Sequence, residues 1–487
     1  MRIRNLIDMI NYVELVNFDN YAFDIEGISY NSKKTLPNHL FICLPGEQVD
    51  GHEYAHEAVA NGAVACVVEK RLTLNIPQIV VESTQQMIAE ISSKFYSNPS
   101  QNLNIIGVTG TNGKTTVTHL IQKLQESFGE KCALIGTLGN KFSSDDDYHD
   151  AKHTTPQSPE LQKLFAEIND KCIGNVVMEV SSHSLVQHRV DYVDFNGAVL
   201  TNLTQDHLDF HITMDNYFKA KASLFANLVT GDFVVLNADD SYYEKFVSVI
   251  SGGVNKYTYG VHNNADVMAK NVVFETNGAA FTCVIKDKEY PVKLSMNGMF
   301  SVYNVLAAIT TALAMNLDIE KSIEVLCSLK GVAGRFEIVN TKPLVIVDYA
   351  HTPDGLENVL KAARDITPSE GKLICIFGCG GDRDATKRPK MGAIAEDYAD
   401  KIIITSDNPR SENPQQIITD ILAGFRSTTD VVVEPDRELA IKESKKIAND
   451  DDVILLAGKG HEDYQILAHE TIHFDDREKV REIFAGK

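Results

Sequence analysis

Four short β-branched runs in the last third of the chain begin at Leu344 (LVIVD), Leu373 (LICIF), Ile402 (IIITS) and Val431 (VVVEP), each 29 residues after the one before. A fifth, Val453-Ile-Leu-Leu456, follows. Unbroken apolar runs of this kind predict strands buried on both faces, as in a parallel sheet. A repeat of about 30 residues leaves room for one helix between successive strands, the βαβ unit. Helices are read at Pro353 to Arg364 and at Arg388 to Asp397.

Position then points to chemistry, because open α/β sheets bind ligands beyond the carboxyl ends of their strands. Here those ends read Asp348-Tyr-Ala-His-Thr-Pro-Asp354, Gly378-Cys-Gly-Gly-Asp-Arg-Asp384, Asp407-Asn-Pro-Arg410 and Gly458-Lys-Gly-His-Glu462. One such loop is an ordinary polar turn; four converging on one edge predict a ligand-binding rim.

The middle third repeats the design. Asn104-Ile-Ile-Gly-Val-Thr109 leads into Gly110-Thr-Asn-Gly-Lys-Thr-Thr116 and a helix through about Phe128. Val176-Val-Met178 leads into Glu179-Val-Ser-Ser-His183, and Ala198-Val-Leu200 into Thr201-Asn-Leu-Thr-Gln-Asp-His-Leu-Asp209. A Gly-rich turn between a buried strand and a helix presents backbone N–H groups at the positive helix end, which suits phosphate. Lys114 would reach the terminal phosphates and the Thr115 hydroxyl would take Mg²⁺. The strict GxxxxGK[ST] pattern is broken at its first glycine, where Val108 stands. Glu179 and His207 are candidate metal ligands. His207-x3-His211 also has zinc-ligand spacing, but Leu208 occupies the place where a zinc hydrolase of the HExxH type carries its general base.

The chain has 487 residues, and at about 150 per domain that allows three. Two polar joints, Tyr96–Leu103 and Gly331–Gly334, place the boundaries at 1–98, 99–333 and 334–487. A formal net charge of −21 argues against nucleic acid and anionic membranes as partners. It leaves open a small anion in a locally positive pocket. No uncharged apolar run approaches the roughly 20 residues that span a bilayer; Val305–Leu317 reads as a buried helix. The N-terminus lacks the apolar stretch of a secretory signal. Eight scattered cysteines with no CxxC pair read as reduced core residues of a cytoplasmic protein.

The motifs beginning at Gly110, Glu179 and Asn202, with Asn304, Gly334-Arg335 and Asp348-Tyr-Ala-His-Thr-Pro353, stand in one order along the chain. Together they resemble the Mur ligases, ATP-dependent amino-acid-adding enzymes of peptidoglycan precursor synthesis. The resemblance implies an α/β protein of three domains. These are an N-terminal UDP-binding domain, a central P-loop-type ATPase domain with a mostly parallel sheet, and a Rossmann-like C-terminal domain. Within the family the chain is most similar to the branch that adds the third residue of the stem peptide, and its N-terminal third fits through Tyr30-Asn-Ser32 and Gly46-Glu-Gln-Val49.

The implied reaction phosphorylates the D-Glu γ-carboxylate of UDP-MurNAc-L-Ala-D-Glu, and an incoming amine then displaces phosphate. The matching positions place ATP at Gly110, Thr111, Asn112, Gly113, Lys114, Thr115, Thr116, Asn304, Arg335 and Asp348. Asn304 would read adenine, though an Asn can also cap the apolar helix that follows it. The UDP-sugar peptide falls to Tyr30, Ser32, Glu47, Gln48, Val49, Thr154, Thr155, Ser181, Gln187 and Arg189. His153 departs from the Asn common in the family. Two Mg²⁺ ions are implied, with Thr115 and Glu179 near one and His207 near the other. Lys221 aligns with a lysine that the family carbamylates, which makes it an anionic oxygen ligand. Lys114, Lys221 and His207 are thus the expected catalytic residues. Arg383, Asp407, Asn408, Pro409, Arg410, Gly458 and Glu462 match positions that hold meso-diaminopimelate, and L-lysine is the alternative substrate. A second carboxylate calls for the planar fork of Arg410. A monomer is expected.

Overall fold

The computed structural model describes the chain apart from residues 19–21, 47–48, 150, 152, 276–277, 428–430 and 486–487. Glu47 and Gln48, both expected at the UDP-sugar, therefore lie outside the described residues. The chain divides into two compact units, Met1–Gly107 with Gly129–Ala198, and Val108–Phe128 with Val199–Lys487.

The first unit contains a five-stranded sheet in the order Glu14–Val16, Gln78–Val80, Ala63–Val68, His39–Ile42, Gly27–Ser29. Only the Glu14 edge strand is antiparallel. Side chains alternate across a strand, and both faces are apolar. Leu40, Ile42, Ala65 and Val67 pack with Leu6, Ile88 and Ile91 on one side. Phe41, Cys43, Cys66 and Val68 pack with Ala55 and Ala58 on the other. The helix Thr84–Phe95 starts where the Ser83 side chain accepts from Gln86 N. The unit also holds the parallel pair Cys132–Gly136 and Asn175–Glu179, in register from Cys132 opposite Asn175.

In the second unit, Phe233–Asn237 and Asn255–Gly260 pair in parallel. An antiparallel meander follows, Val267–Glu275, Gly278–Ile285 and Lys288–Leu294. The helix Met299–Ala314 is apolar nearly all round, so it is buried along Val302, Val305, Leu306, Ile309 and Ala312.

The 29-residue rhythm builds a six-stranded sheet in the order Glu337–Thr341, Leu344–Asp348, Val453–Ala457, Leu373–Phe377, Lys401–Ile404, Val431–Val433. All pairings are parallel except that of the Glu337 strand. Period two sorts the core: Ile346, Leu373, Cys375 and Phe377 meet Leu356, Met391 and Ile417. Val345, Val347, Ile374 and Ile376 meet Ile441 and Val480. Helices Pro353–Asp365, Arg388–Tyr398 and Pro414–Leu422 therefore cover one face, while Arg437–Ile447 and Asp476–Phe484 cover the other. The last strand to form in the sequence lies between the first two of the series, so the connections reverse there and the carboxyl ends open a crevice. One strand departs from expectation. Val431–Val433 ends the sheet, and Val432 and Val433 are 38% and 40% exposed rather than buried.

Arg437 and Asp476 join the helices of the second face through a bidentate pair at 2.7 Å, both side chains wholly buried. Arg437 also donates to Ala457 O at 3.2 Å, bracing the end of the central strand. Removing one partner strands a buried charge, so Asp476→Ala is expected to lose about 3–5 kcal/mol in urea unfolding. A loss below about 1 kcal/mol, the scale of a surface pair, would refute the buried-pair assignment.

Candidate active site

The strand Asn104–Thr109 ends in the loop Gly110–Gly113, and the helix Lys114–Ser127 begins directly after it. Two glycines are required by space and by backbone. Gly110 lies at φ +149°, and a Cβ there would be 1.8 Å from Thr201 Oγ1; Gly113 lies at φ +87°, and its Cβ would be 2.5 Å from Asn304 Oδ1. The loop is held from the neighbouring segment, where Asn202 O accepts from Thr111 N and Asn202 Oδ1 from Asn112 N, both at 2.9 Å. Lys114 Nζ donates to Gly110 O and Thr111 O at 2.8 Å, which keeps its ammonium over the loop. Thr115 Oγ1 accepts from Arg335 Nη2 at 3.1 Å.

A cleft beside this loop is lined by Thr116, Met296, Phe300, Asn304, Arg335 and Phe336. Asn297, Ser301 and Lys330 line it as well, so its walls mix the Phe300 and Phe336 rings with polar groups. Asn304 is inside the helix Met299–Ala314, whose N-cap is Gly298. It is not the cap that the sequence allowed. Asp348 is buried, and its carboxylate accepts from Phe336 N and Ala350 N at 2.7 Å. Burial pushes its pKa up, opposed by Arg335 and those two amides. Asp348 therefore positions the Arg335–Phe336 turn, and the Arg335 guanidinium carbon lies 4.4 Å from the centre of the Tyr349 ring.

Two residues apart on the helix Met214–Ala226, two lysines have opposite surroundings. Lys219 pairs with Asp215 at the surface. Lys221 is 1% exposed, with Nζ donating to Gly110 O at 2.9 Å and to Thr109 Oγ1 at 3.4 Å. Burial first, and then the Lys114 charge, hold its amine well below the ordinary lysine value; Asp206 opposes them. His207 sits at φ +54° and pairs through Nε2 with Asp206 at 3.2 Å. Burial raises the Asp206 carboxyl, but the charges of His207 and Lys387 prevail and bring it down to about 2. His211 is buried against Tyr217, with ring centres 4.9 Å apart. Because the helix Leu208–His211 starts after His207, the two imidazoles do not share a helical face.

The first unit gathers a separate polar cluster. Arg189 is 8% exposed; Nη1 donates to Thr155 O at 3.0 Å and Nη2 to Gln187 Oε1, while Nε has no partner among the described residues. Burial lowers its pKa, against Tyr30 and Glu160. Tyr30 donates to Glu160 Oε1 at 2.7 Å, and its phenol is pushed up chiefly by burial. Ser181 caps a short helix and donates through its N–H to Thr155 Oγ1 at 3.0 Å. Glu179 accepts from Thr137 N and Oγ1 at 2.9 and 3.1 Å, and Thr137 Oγ1 is 3.0 Å from Thr154 Oγ1. Ser32 donates to Glu57 Oε2 at 2.6 Å, and Val49 is 48% exposed.

At the carboxyl edge of the C-terminal sheet, Asp407 and Asn408 are buried and Arg410 takes φ +51°. That turn directs Arg410 Nη1 to Gly381 O at 2.8 Å. A Cβ on Gly380 would lie 2.9 Å from Arg410 Nη1 and 3.8 Å from Arg383 Cγ, so both guanidinium side chains flank this glycine. Arg383 itself is exposed. Asn408 Nδ2 donates to Glu462 Oε2 at 2.8 Å, and Lys459 Nζ reaches the same oxygen at 3.1 Å. Burial and then Asp407 raise the Glu462 carboxyl, against Lys459. Gly458 has φ +118°, and a Cβ there would be 2.5 Å from Asp407 Oδ2. Pro409 O is packed 1.9 Å from the Cβ position of Gly381. The sequence reading missed Asp206, Glu160, Asp354 and Lys459. Asp206, Asp354 and Lys459 lie in quoted motifs and Glu160 lies in none, and only tertiary contact shows what each touches.

Family models match three segments: "Mur ligase family, catalytic domain" over 24–96, "Mur ligase middle domain" over 108–312, and "Mur ligase, glutamate ligase domain" over 334–460. The UDP-N-acetylmuramoyl-L-alanyl-D-glutamate–2,6-diaminopimelate ligase of Clostridium botulinum is 45% identical over 469 residues, 94% of this chain and 95% of its own. Its namesake from Synechococcus elongatus is 46% identical over 468 residues, 94% of this chain and 93% of its own. A solved structure of a ligase of that name is 34% identical, covers 95% of each chain, and superposes with a TM-score of 0.67. The three domain matches and these near-full-length relatives agree: the chain belongs to the Mur ligase family.

Proposed function

We infer that the chain joins meso-diaminopimelate to the D-Glu γ-carboxylate of UDP-MurNAc-L-Ala-D-Glu, with ATP cleaved to ADP and phosphate. The observation that carries the choice of amino acid is Arg410, anchored on Gly381 O at 2.8 Å beside Arg383. Diaminopimelate has a carboxylate where lysine has none, and a guanidinium left without that partner penalises lysine. The Arg410 loop and near-full-length relatives at 45% identity both support this reading. Adding L-lysine is the second reading.

Bringing a carboxylate against a triphosphate costs roughly 4 kcal/mol per pair of unit charges at 4 Å and an effective dielectric of 20. Fixed positive groups offset this without reorganising during reaction. The loop amides and Lys114 would hold the phosphates, and Asn304 the adenine. The Arg335 guanidinium, fastened to Thr115 and stacked on Tyr349, would close that side. The donor set suits magnesium, because the Thr115 hydroxyl and a carbamate oxygen on Lys221 are hard oxygen donors. Bound there with His207, magnesium would neutralise phosphate charge. CO₂ reacts with the neutral form of an amine, which burial favours at Lys221, so carbamylation of Lys221 is part of this reading. In the first unit Tyr30, Ser32, Val49, Thr154, Thr155, Ser181, Gln187 and Arg189 would bind the UDP-sugar peptide, and Glu179 would serve as a metal ligand. Asp407, Asn408, Pro409, Arg410, Arg383, Gly458 and Glu462 would seat diaminopimelate.

The partition at 98/99 and 333/334 and a monomeric, cytoplasmic enzyme belong to the same reading. All eight cysteines are free, and no helix among the described residues is long and apolar enough to cross a membrane. Phosphate release with UDP-MurNAc-L-Ala-D-Glu and a panel of amino acids tests it. Release with meso-diaminopimelate is expected to exceed that with L-lysine by about 10²-fold, the scale of leaving one buried polar group unpaired. Release independent of any amino acid would sink the ligase reading, and release with lysine alone would sink the specificity.

A further inference from the structure

The loop after the strand Val453–Ala457 turns back at Gly458 and Gly460, which lie at φ +118° and +54°. Between them Lys459 is wholly buried, although it belongs to a loop rather than to a helix or strand. Its ammonium donates to Glu462 Oε2 at 3.1 Å and to Tyr464 O, both on the segment that follows. Burying an ammonium is costly even when it is paired. A tight turn needs no charge, because glycine closes one without it. The charge at Lys459 therefore serves something other than the turn.

Two carboxylates supply the reason. The Glu462 side chain is largely buried, and the buried Asp407 lies against the same loop, its Oδ2 2.5 Å from the Cβ position of Gly458. Carboxylates that share a buried site resist being ionised together unless a cation stands among them. The two oxygens of Glu462 are also used differently. Oε2 accepts from Lys459 Nζ and, at 2.8 Å, from Asn408 Nδ2. Among the described residues Oε1 has only the Tyr464 hydroxyl, at 3.4 Å. The loop that carries Glu462 is laced to the one that carries Arg410. Gln465 Nε2 donates to Asp407 O at 2.7 Å, Ile466 N to Asn408 Oδ1 at 2.9 Å, and Arg410 N to Ile466 O at 3.1 Å. One rim thus carries a guanidinium and a carboxylate oxygen with little to do, the complements of a carboxylate and an ammonium on one amino-acid end.

We propose that Lys459 is a positioning residue for the incoming amino acid: by pinning Glu462 Oε2 it leaves Oε1 to accept from the distal ammonium of meso-diaminopimelate, while Arg410 takes the distal carboxylate. The proposal deepens the reading of this rim given above and rests on it. L-Lysine also ends in an ammonium. Lys459 therefore governs how tightly either amino acid binds, and Arg410 governs which of the two is preferred.

Lys459→Met, Glu462→Gln and the double variant of the full chain test it, by ADP formation with ATP, UDP-MurNAc-L-Ala-D-Glu and either amino acid, alongside thermal unfolding. Lys459→Met is expected to raise the KM for meso-diaminopimelate by about 10- to 10²-fold, the scale of a hydrogen bond to a charged group. Its kcat and its KM for ATP should stay within about 3-fold, since the loss is in binding one substrate. Its preference for meso-diaminopimelate over L-lysine should also hold within about 3-fold, because Arg410 is untouched. Glu462→Gln should raise the same KM by a similar factor. Adding Lys459→Met to it should change that KM by less than about 3-fold, because the contact is already lost. The proposal is overturned if either single variant keeps a KM for meso-diaminopimelate within about 3-fold of the parent, or if the two increases multiply in the double variant. A Lys459→Met chain that loses kcat, or whose preference narrows as both KM values rise, marks a structural lysine and overturns it too. If Lys459→Met does not fold, the double variant, which strands no charge, is compared with Glu462→Gln alone. A double variant that also fails to fold is the structural outcome. A parent chain that forms no ADP with either amino acid overturns the ligase reading, and this inference with it.

Discussion

Lys221→Met is expected to lower phosphate release by about 10³-fold, the upper range for losing one group that stabilises transition-state charge. The same substitution is expected to make the fold more stable at neutral pH. Lys221 is 1% exposed and its amine is held well below the ordinary lysine value. The folded chain therefore gives up this proton at a lower pH than the unfolded chain does. Stability of the parent then rises with pH from the lowered folded value up to about 10.4, where an ordinary lysine deprotonates. The advantage of the Met variant should shrink across that window and vanish at its upper end. Urea unfolding from pH 6 to pH 10 reads the slope, and a parent stability that falls with rising pH at this residue would refute the lowered value. The two effects have one cause. Burial that disfavours the ammonium is what leaves the amine free to take up CO₂. Lys221→Arg keeps a charge and cannot be carbamylated, so it should be as inactive as Met and less stable.

Arg410→Ala should reduce kcat/KM for meso-diaminopimelate by about 10²- to 10³-fold, as expected for truncating one member of a charge-assisted bidentate contact. The KM for ATP should change by less than about 3-fold, because the nucleotide groups are on other loops. Discrimination against L-lysine should narrow in the variant, since the unpaired guanidinium that penalises lysine is gone. Competition between the two amino acids in one reaction measures this ratio directly. Equal losses for ATP and amino acid would count against the assignment of this loop. Arg410 holds the strained left-handed turn at φ +51°. Arg410→Lys keeps the charge but not the fork, so it should recover little of the selectivity.

Much of this was legible in one dimension because it depends on local pattern. The 29-residue rhythm located the strands of the C-terminal sheet, and apolar runs bounded by Gly, Asp and Pro marked their ends. The glycine-rich loop was legible for the same reason: the backbone at Gly110 and Gly113 calls for glycine locally. Strand order was not legible. Val453–Ala457 and Leu373–Phe377 have the same apolar character, so nothing local says that the former is inserted beside Leu344–Asp348. The exposure of Val432 and Val433 escaped for the same reason, since an edge strand and a central strand can share one composition.

The sequence by itself determined the chemistry available: a glycine-rich loop before a helix, arginines at strand ends, and carboxylates and histidines gathered into a few motifs. Residue type and spacing along the chain are enough for that. Only the tertiary structure decided which charged groups are satisfied. Two lysines on one helix, Lys219 and Lys221, look alike in sequence, yet one pairs with Asp215 at the surface and the other is enclosed beside Gly110. Asp348 is expected from sequence at the nucleotide, and only the fold shows that its carboxylate accepts from the amides of Phe336 and Ala350. Burial and partnership set the cost of a charge, and both are made by contacts between residues far apart in the chain.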